Sequence, residues 1–150
     1  MLKYVDGDLL ALGKAGEFDV IAHGCNCQNN MGSGIAKQIR QQFPEAWKAD
    51  QKTKKGDKKK LGCAEGTVID DLIVVNAYTQ FAYGGGKCHA DYKAIKNVMA
   101  EINWRFKGMR VGLPKIGAGL AGGDWDLIEA IIEEELADVD VTIVNYAPGK

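Results

Sequence analysis

The chain has 150 residues, of which 46% are hydrophobic, 8% aromatic and 26% charged, an ordinary make-up for a soluble globular domain. That length supplies one domain with a real core, and the composition excludes a disordered chain, a collagen-like repeat and a bare disulfide scaffold. Nineteen Lys and Arg against twenty Asp and Glu leave a formal net charge of -1, so the global balance does not nominate a general polyanion binder.

In chain order, Leu2 to Val5 and Asp19 to His23 read as short strands. Ile35, Ile39 and Phe43 recur at fourfold spacing, which predicts a helix that ends near Pro44. Gly66–Ile69 and Leu72–Ala77 read as two strands joined by a turn at Asp70-Asp71. Tyr92, Ile95, Met99, Ile102 and Phe106 form an apolar stripe at helical spacing, followed by a strand at Arg110–Leu113. Trp125, Ile128, Ile132 and Leu136 make a second helical stripe, and Val139–Val144 closes the chain as a strand. Strands alternating with helices predict a single α/β domain over residues 1–150, one mixed sheet with helices on both faces. In such sheets ligands gather at the carboxyl ends of the strands.

No apolar run approaches the ~18 residues that span a bilayer, and the N-terminal residues lack the apolar stretch of a signal peptide. The expected location is the cytoplasm, with no membrane partner. Cys25, Cys27, Cys63 and Cys88 are too few and too scattered for a secreted disulfide framework, and the spacing of the first two does not suit zinc. Neither a metal nor a cofactor is expected. Charge is laid out unevenly: Lys52, Lys54, Lys55, Lys58, Lys59 and Lys60 cluster around Gly56-Asp57, while Asp124 to Asp140 holds acids and no base. The lysine run is either a solvated loop or a patch that attracts a polyanionic partner.

Two glycine-rich stretches follow strands. The first, His23-Gly24-Cys25-Asn26-Cys27-Gln28-Asn29-Asn30-Met31-Gly32-Ser33-Gly34-Ile35-Ala36, runs from a strand end through a polar loop into a helix. Main-chain N–H groups at a helix start form an anion site, and the amide side chains suit sugar hydroxyls; ordinary turns also use Gly and Asn. In the second stretch, Gly117, Gly119 and Gly122 fit G-x-G-x-x-G. A dinucleotide fold is not the reading, because only one helix and one strand follow, and Tyr146 rather than an acid lies past the end of that strand. What survives is a phosphate cradle. Two such loops on one small sheet suggest a pyrophosphate flanked by two sugars, with Tyr146 either stacking on a base or edging the core.

These residues resemble the macro domain family. The resemblance rests on Gly7-Asp8-Leu9, on Asn26 with Gly32-Ser33-Gly34-Ile35-Ala36, and on Ile116-Gly117-Ala118-Gly119-Leu120-Ala121-Gly122, in order over nearly the whole chain. His23-Gly24-Cys25-Asn26-Cys27 and Gly122-Gly123-Asp124-Trp125 are similar to patterns in the branch of small ADP-ribose-1''-phosphate phosphatases. The resemblance implies a three-layer α/β/α sandwich with a central mixed sheet of about six strands, binding ADP-ribose or ADP-ribose 1''-phosphate in a surface cleft. Attached forms, ADP-ribosylated protein or nucleic acid, are implied as further partners.

By the same resemblance, Asp8, beside Leu9, accepts from the adenine amine, a role compatible with capping a short helix. Gly32, Ser33, Gly34 and Ile35 form the first phosphate-facing loop, Gly117, Ala118, Gly119, Leu120 and Ala121 the second, Asn26 meets the distal ribose, and Tyr146 sits where relatives place an aromatic. A hydrolase branch of the family uses a lysine after the central strand and an aspartate after the Gly-Leu of the second loop; here those positions hold Gln80 and Ala121. The phosphatase branch implies His23 and Asp124 as the catalytic pair, a metal-independent hydrolase. Against that stand a structural histidine and an N-cap aspartate. A non-catalytic ADP-ribose reader and an ADP-ribosyl hydrolase acting on protein or nucleic acid remain as alternatives. Lys87 and His89, beside Gly84-Gly85-Gly86, are placed to close over a ligand.

Overall fold

The structure is a computed structural model that describes residues 2–147. Six strands form one sheet: β1 (Lys3–Gly7), β2 (Val20–Asn26), β3 (Ala64–Ile69), β4 (Leu72–Gln80), β5 (Arg110–Leu113) and β6 (Asp140–Tyr146). Their order is β1-β6-β5-β2-β4-β3; β3 pairs antiparallel with β4, and every other pair is parallel. Among the described residues five α-helices flank it: α1 (Leu9–Lys14), α2 (Gly34–Gln42), α3 (Pro44–Gln51), α4 (Tyr92–Arg105) and α5 (Trp125–Glu135). This is the α/β/α sandwich with a six-stranded mixed sheet that the sequence implied.

The two faces of the sheet carry separate cores. Val20 and Ala22 of β2 point into a layer closed by Ile95, Met99 and Ile102 of α4 and by Ile128 and Ile132 of α5. Ile21, between them, points the other way, into a layer with Leu9, Leu10, Ile39 and Ala46 of α1 to α3. Side chains of a strand alternate between faces, so the central strands are buried on both sides and read as continuous apolar runs.

Two helices lie where the apolar periodicity predicted none, although Asp8 was compatible with capping the first of them. Helix α1 has six residues, too few to display a period, and rests on its cap: the Asp8 carboxylate accepts from the Leu10 and Ala11 amides at 3.0 and 3.2 Å. Pro44 ends α2 as expected but also starts α3. Phe43, forced out of helical geometry by the following proline, turns the chain, and Pro44 occupies the first turn, where no amide is needed. The buried residues of α3 are Ala46 and Asp50, so no apolar stripe announces it.

Gly112 of β5 lies where Phe18 and Leu9 crowd the strand; a Cβ there would stand 2.6 Å from the Phe18 ring and 2.8 Å from Leu9 Cδ1. Gly112→Ala is therefore expected to destabilise the domain by about 1–3 kcal/mol through overpacking. Urea melts checking this should show a lower midpoint with an unchanged slope.

Candidate functional site

Because five strands run in parallel, the loops after β2, β4 and β5 and the β1–α1 junction all leave the same edge of the sheet. The β2–α2 loop is held by its own amide side chains. Asn26 Oδ1 accepts from the Gln28 amide at 2.9 Å, and its Nδ2 donates to the Asn30 carbonyl at 2.8 Å. Asn30 in turn accepts from the Gly32 amide at 2.9 Å and donates to the Tyr83 hydroxyl at 2.9 Å. Ser33 precedes α2 in extended conformation and makes no side-chain cap, which leaves the first amides of the helix available to a ligand.

The β5–α5 loop closes on itself through Gly123 N to Gly117 O at 2.8 Å and Gly122 N to Gly119 O at 3.1 Å. Gly117 has φ +77, and a Cβ on it would press on Ile95 and Ile128 at 3.1 and 3.2 Å, so glycine is required twice over. The two loops meet: a Cβ on Gly34 would come 3.3 Å from Leu120 Cδ1. Between them lies a cleft of about 540 Å³, its walls formed by Asn26, Ser33, Gly34, Ile35, Gly117, Gly119, Leu120 and Ala121. A second hollow of about 290 Å³, walled by Asp8, Leu9 and Tyr146, shares Gly34, Ile35 and Pro114 with the first. The two form one elongated groove.

Most of the residues implied for ligand contact are thus brought together. Gly32 and Ala118 belong to the loops but not to the walls: Gly32 is bound to the Asn30 side chain, and Ala118 packs half-buried against the α4–α5 core. The implied catalytic pair is not assembled. His23 is fully buried, with Nε2 2.6 Å from Asn76 Oδ1 and 3.5 Å from Cys25 Sγ. Since Asn76 Nδ2 donates to the Ala46 carbonyl of α3, its oxygen accepts and the His23 Nε2 carries the proton. Burial lowers the imidazole to about 4, outweighing the Asn76 bond, so the ring is neutral near pH 7. Asp124 lies across the sheet from it, exposed at the start of α5, where Oδ1 accepts from the Asp126 amide at 3.0 Å. His23 faces the α3 layer and Asp124 belongs to the α5 layer, so strand alternation itself separates them.

The groove also uses Tyr83 and Lys115, to which the sequence assigned no contact, and it takes in Gln80 and the Gly84–Gly86 segment, which the sequence had marked only by departure from the hydrolase pattern and by glycine content. Gln80, at the end of β4, and Tyr83 form part of the far wall, with Gly84 and Gly86 beside them. Lys115 is the sole charged side chain among the larger cleft's described walls. The signals were faint: β4 continues three residues past Ala77, and the three glycines gave the only mark on a loop without period. His89 does not reach over the cleft but pins this loop, its Nε2 2.6 Å from the Gly84 carbonyl and its amide donating to Ala121 O at 2.8 Å.

The macro domain model matches residues 22–132. The chain belongs to the macro domain family. A 17.5 kDa protein from the tk-vs intergenic region of Enterobacteria phage T4 is 36% identical over 159 residues, spanning 99% of this chain and 98% of that one. The ADP-ribose 1''-phosphate phosphatase of Meyerozyma guilliermondii is 25% identical, spanning 95% and 98%. The DNA ADP-ribosyl glycohydrolase of Mycobacterium tuberculosis is 27% identical; the match spans 99% of this macro domain but 43% of that longer protein. The solved macrodomain of Thermus aquaticus DarG has the same fold, with a TM-score of 0.74 at 20% identity over 99% of both chains.

The buried histidine sets a pH dependence. The unfolded chain takes up a proton near pH 6.5 and the folded one only near 4, so stability falls as pH is lowered through this window, by on the order of 3 kcal/mol in all. Above pH 6.5 His23 contributes no slope. Chemical denaturation of the native chain and of His23→Gln at pH 7, 5.5 and 4.5 checks this: the native chain should lose stability more steeply than the variant.

Proposed function

We propose that the groove binds ADP-ribose and that the protein hydrolyses the phosphomonoester of ADP-ribose 1''-phosphate. The observation that carries this reading is the groove itself, two glycine loops facing each other with main-chain amides and no carboxylate on the larger cleft's described walls. A diphosphate is stabilised there by fixed N–H groups and by the start of α2 without an opposing negative charge. The smaller hollow takes the adenine. Asp8 uses Oδ1 for its cap, leaving Oδ2 for the exocyclic amine, and Tyr146, 65% exposed, offers a stacking face. The distal ribose then lies at the Asn26 end. The phosphatase relative, matched over nearly its full length, supports the reaction.

Hydrolysis proceeds by attack of water on phosphorus and cleavage of the bond to the 1'' oxygen. Loop amides stabilise the charge on the phosphoryl oxygens. No histidine or carboxylate is among the described walls of the larger cleft, and in this reading the proton of the attacking water passes to a phosphate oxygen and on to the departing 1'' oxygen. His23 and Asp124 act as positioning residues: His23 holds the outgoing end of β2 through Asn76, and Asp124, whose amide donates to Tyr92 Oη at 3.0 Å, fixes the outgoing end of the second loop. The hydrolase that removes ADP-ribose from DNA is the second reading, favoured by the mycobacterial relative. Gln80 and Ala121, in place of the lysine and aspartate implied for that branch, weigh against it.

Calorimetric titration with ADP-ribose should show one site. Asn26→Ala removes a ribose contact and the knot of its loop, and a loss of about 1–2 kcal/mol, roughly five- to thirtyfold in Kd, is expected. A phosphate-release assay on ADP-ribose 1''-phosphate then separates enzyme from reader: binding without release leaves a binding module. His23→Gln and Asp124→Ala should keep ADP-ribose affinity within about threefold and lower kcat by less than tenfold in the folded fraction. Complete loss of kcat with full binding would restore a proton-carrying role to either residue.

A further inference from the structure

Asn30 and Tyr83 join the two sides of the cleft at the end that holds Asn26. The Gly32 amide donates to Asn30 Oδ1 at 2.9 Å, which fixes the orientation of the Asn30 side-chain amide. Asn30 Nδ2 is therefore the atom turned to Tyr83, and it donates to the Tyr83 hydroxyl at 2.9 Å. The hydroxyl oxygen accepts there, so its own proton points elsewhere. No acceptor for that proton stands among the described residues. The Tyr83 ring, 50% exposed, forms part of the cleft wall.

The chain around Tyr83 is tied on both sides. The Phe81 carbonyl accepts from the Cys27 amide at 3.0 Å and from Gln28 Nε2 at 3.1 Å, which fastens the exit of β4 to the first loop. Gln80 Nε2 donates to the Ala82 carbonyl at 2.7 Å, and His89 Nε2 lies 2.6 Å from the Gly84 carbonyl. Lys115, the one charged side chain among the described cleft walls, follows Pro114, where the two hollows join, and its ammonium lies 5.8 Å from the Trp125 ring centroid. An anion at the Asn26 end is therefore met by neutral donors already in place, which bind it without reorganisation.

We propose that Tyr83 is the residue that reads the substituent on the distal ribose: its hydroxyl donates to a phosphoryl oxygen of the 1''-phosphate and selects the phosphomonoester over plain ADP-ribose. The proposal rests on the ADP-ribose reading of the groove, which puts the distal ribose at the Asn26 end; Asn26 Nδ2 donates to the Asn30 carbonyl, and Asn30 to Tyr83. A hydrogen bond to a charged phosphoryl oxygen is about twice as strong as one to the neutral 1'' hydroxyl of ADP-ribose. That neutral hydroxyl also exchanges Tyr83 for water at little cost. Tyr83 forms and breaks no covalent bond. Water attacks phosphorus, the bond to the 1'' oxygen cleaves, and the Tyr83 proton stays on its own oxygen throughout.

The test sets the full native chain against Tyr83→Phe, which keeps the ring in the wall and removes the proton. Two constants come from one phosphate-release assay: kcat/KM for ADP-ribose 1''-phosphate and the inhibition constant of ADP-ribose. Tyr83→Phe should lower kcat/KM by roughly ten- to hundredfold, as for one hydrogen bond to a charged group, and leave the inhibition constant within about threefold. If the native chain releases no phosphate, the intact ester and ADP-ribose are titrated calorimetrically, and the same contrast is expected between their two Kd values. No loss for the ester, or equal losses for both ligands, would overturn the role of Tyr83 and leave the ADP-ribose groove standing. A native chain that binds neither ligand would overturn the groove reading and the role of Tyr83 with it.

Discussion

The parallel run of β1, β6, β5, β2 and β4 is the constraint on which the remaining structure depends. Parallel neighbours must be joined by crossovers, so helices cover both faces and every connection that leaves a carboxyl end leaves from one edge. Two of those connections are rich in glycine and one is rich in amide side chains. Nothing in either loop aims it at the other. Their meeting, with Gly34 against Leu120, follows from the positions of β2 and β5 as neighbours in the sheet.

Electrostatics in this molecule is a matter of what is kept out of the groove. Among the buried polar side chains, the Thr79 hydroxyl has no hydrogen-bond partner among the described residues, while His23, Asp50, Lys60 and Asn76 are each paired. Tyr78 donates to Asp50 at 2.8 Å, and burial raises the Asp50 carboxyl while Lys60 and that hydrogen bond oppose the rise. Burial likewise pushes the Cys25 thiol well up and the His23 imidazole down, so neither is charged near neutral pH. The edge that faces the ligand presents main-chain dipoles instead. Such donors are already oriented and need no reorganisation when an anion arrives, which suits a diphosphate better than mobile side chains do.

Much of the fold was legible because the apolar pattern is strong where elements are long. The stripe from Tyr92 to Phe106 and the runs at Leu72–Ala77 and Val139–Val144 each correspond to an element displaced by a few residues at most. The helix at Leu9–Lys14 and the helix at Pro44–Gln51 escaped for different reasons, the first from brevity and the second because its buried positions are alanine and aspartate. At the groove, Asn26, Ser33 and the Gly117–Ala121 loop were legible from two glycine-rich stretches that each follow a strand, a pattern that ordinary turns share and that the family resemblance made specific. Tyr83 and Lys115 carry no such mark.

Sequence alone determined the local chemistry: which segments bury a face, where glycine frees main-chain amides, and where lysines crowd together. Tertiary structure decided which of these pieces meet. His23 and Asp124 look complementary in a list of residues, yet a strand sends alternate side chains to opposite faces, and the fold puts one under α3 and the other at the head of α5. The same packing carries the lysine segment to the end of the groove through Asn29 and Phe81, a proximity set by contacts between residues distant along the chain and therefore invisible to any local pattern.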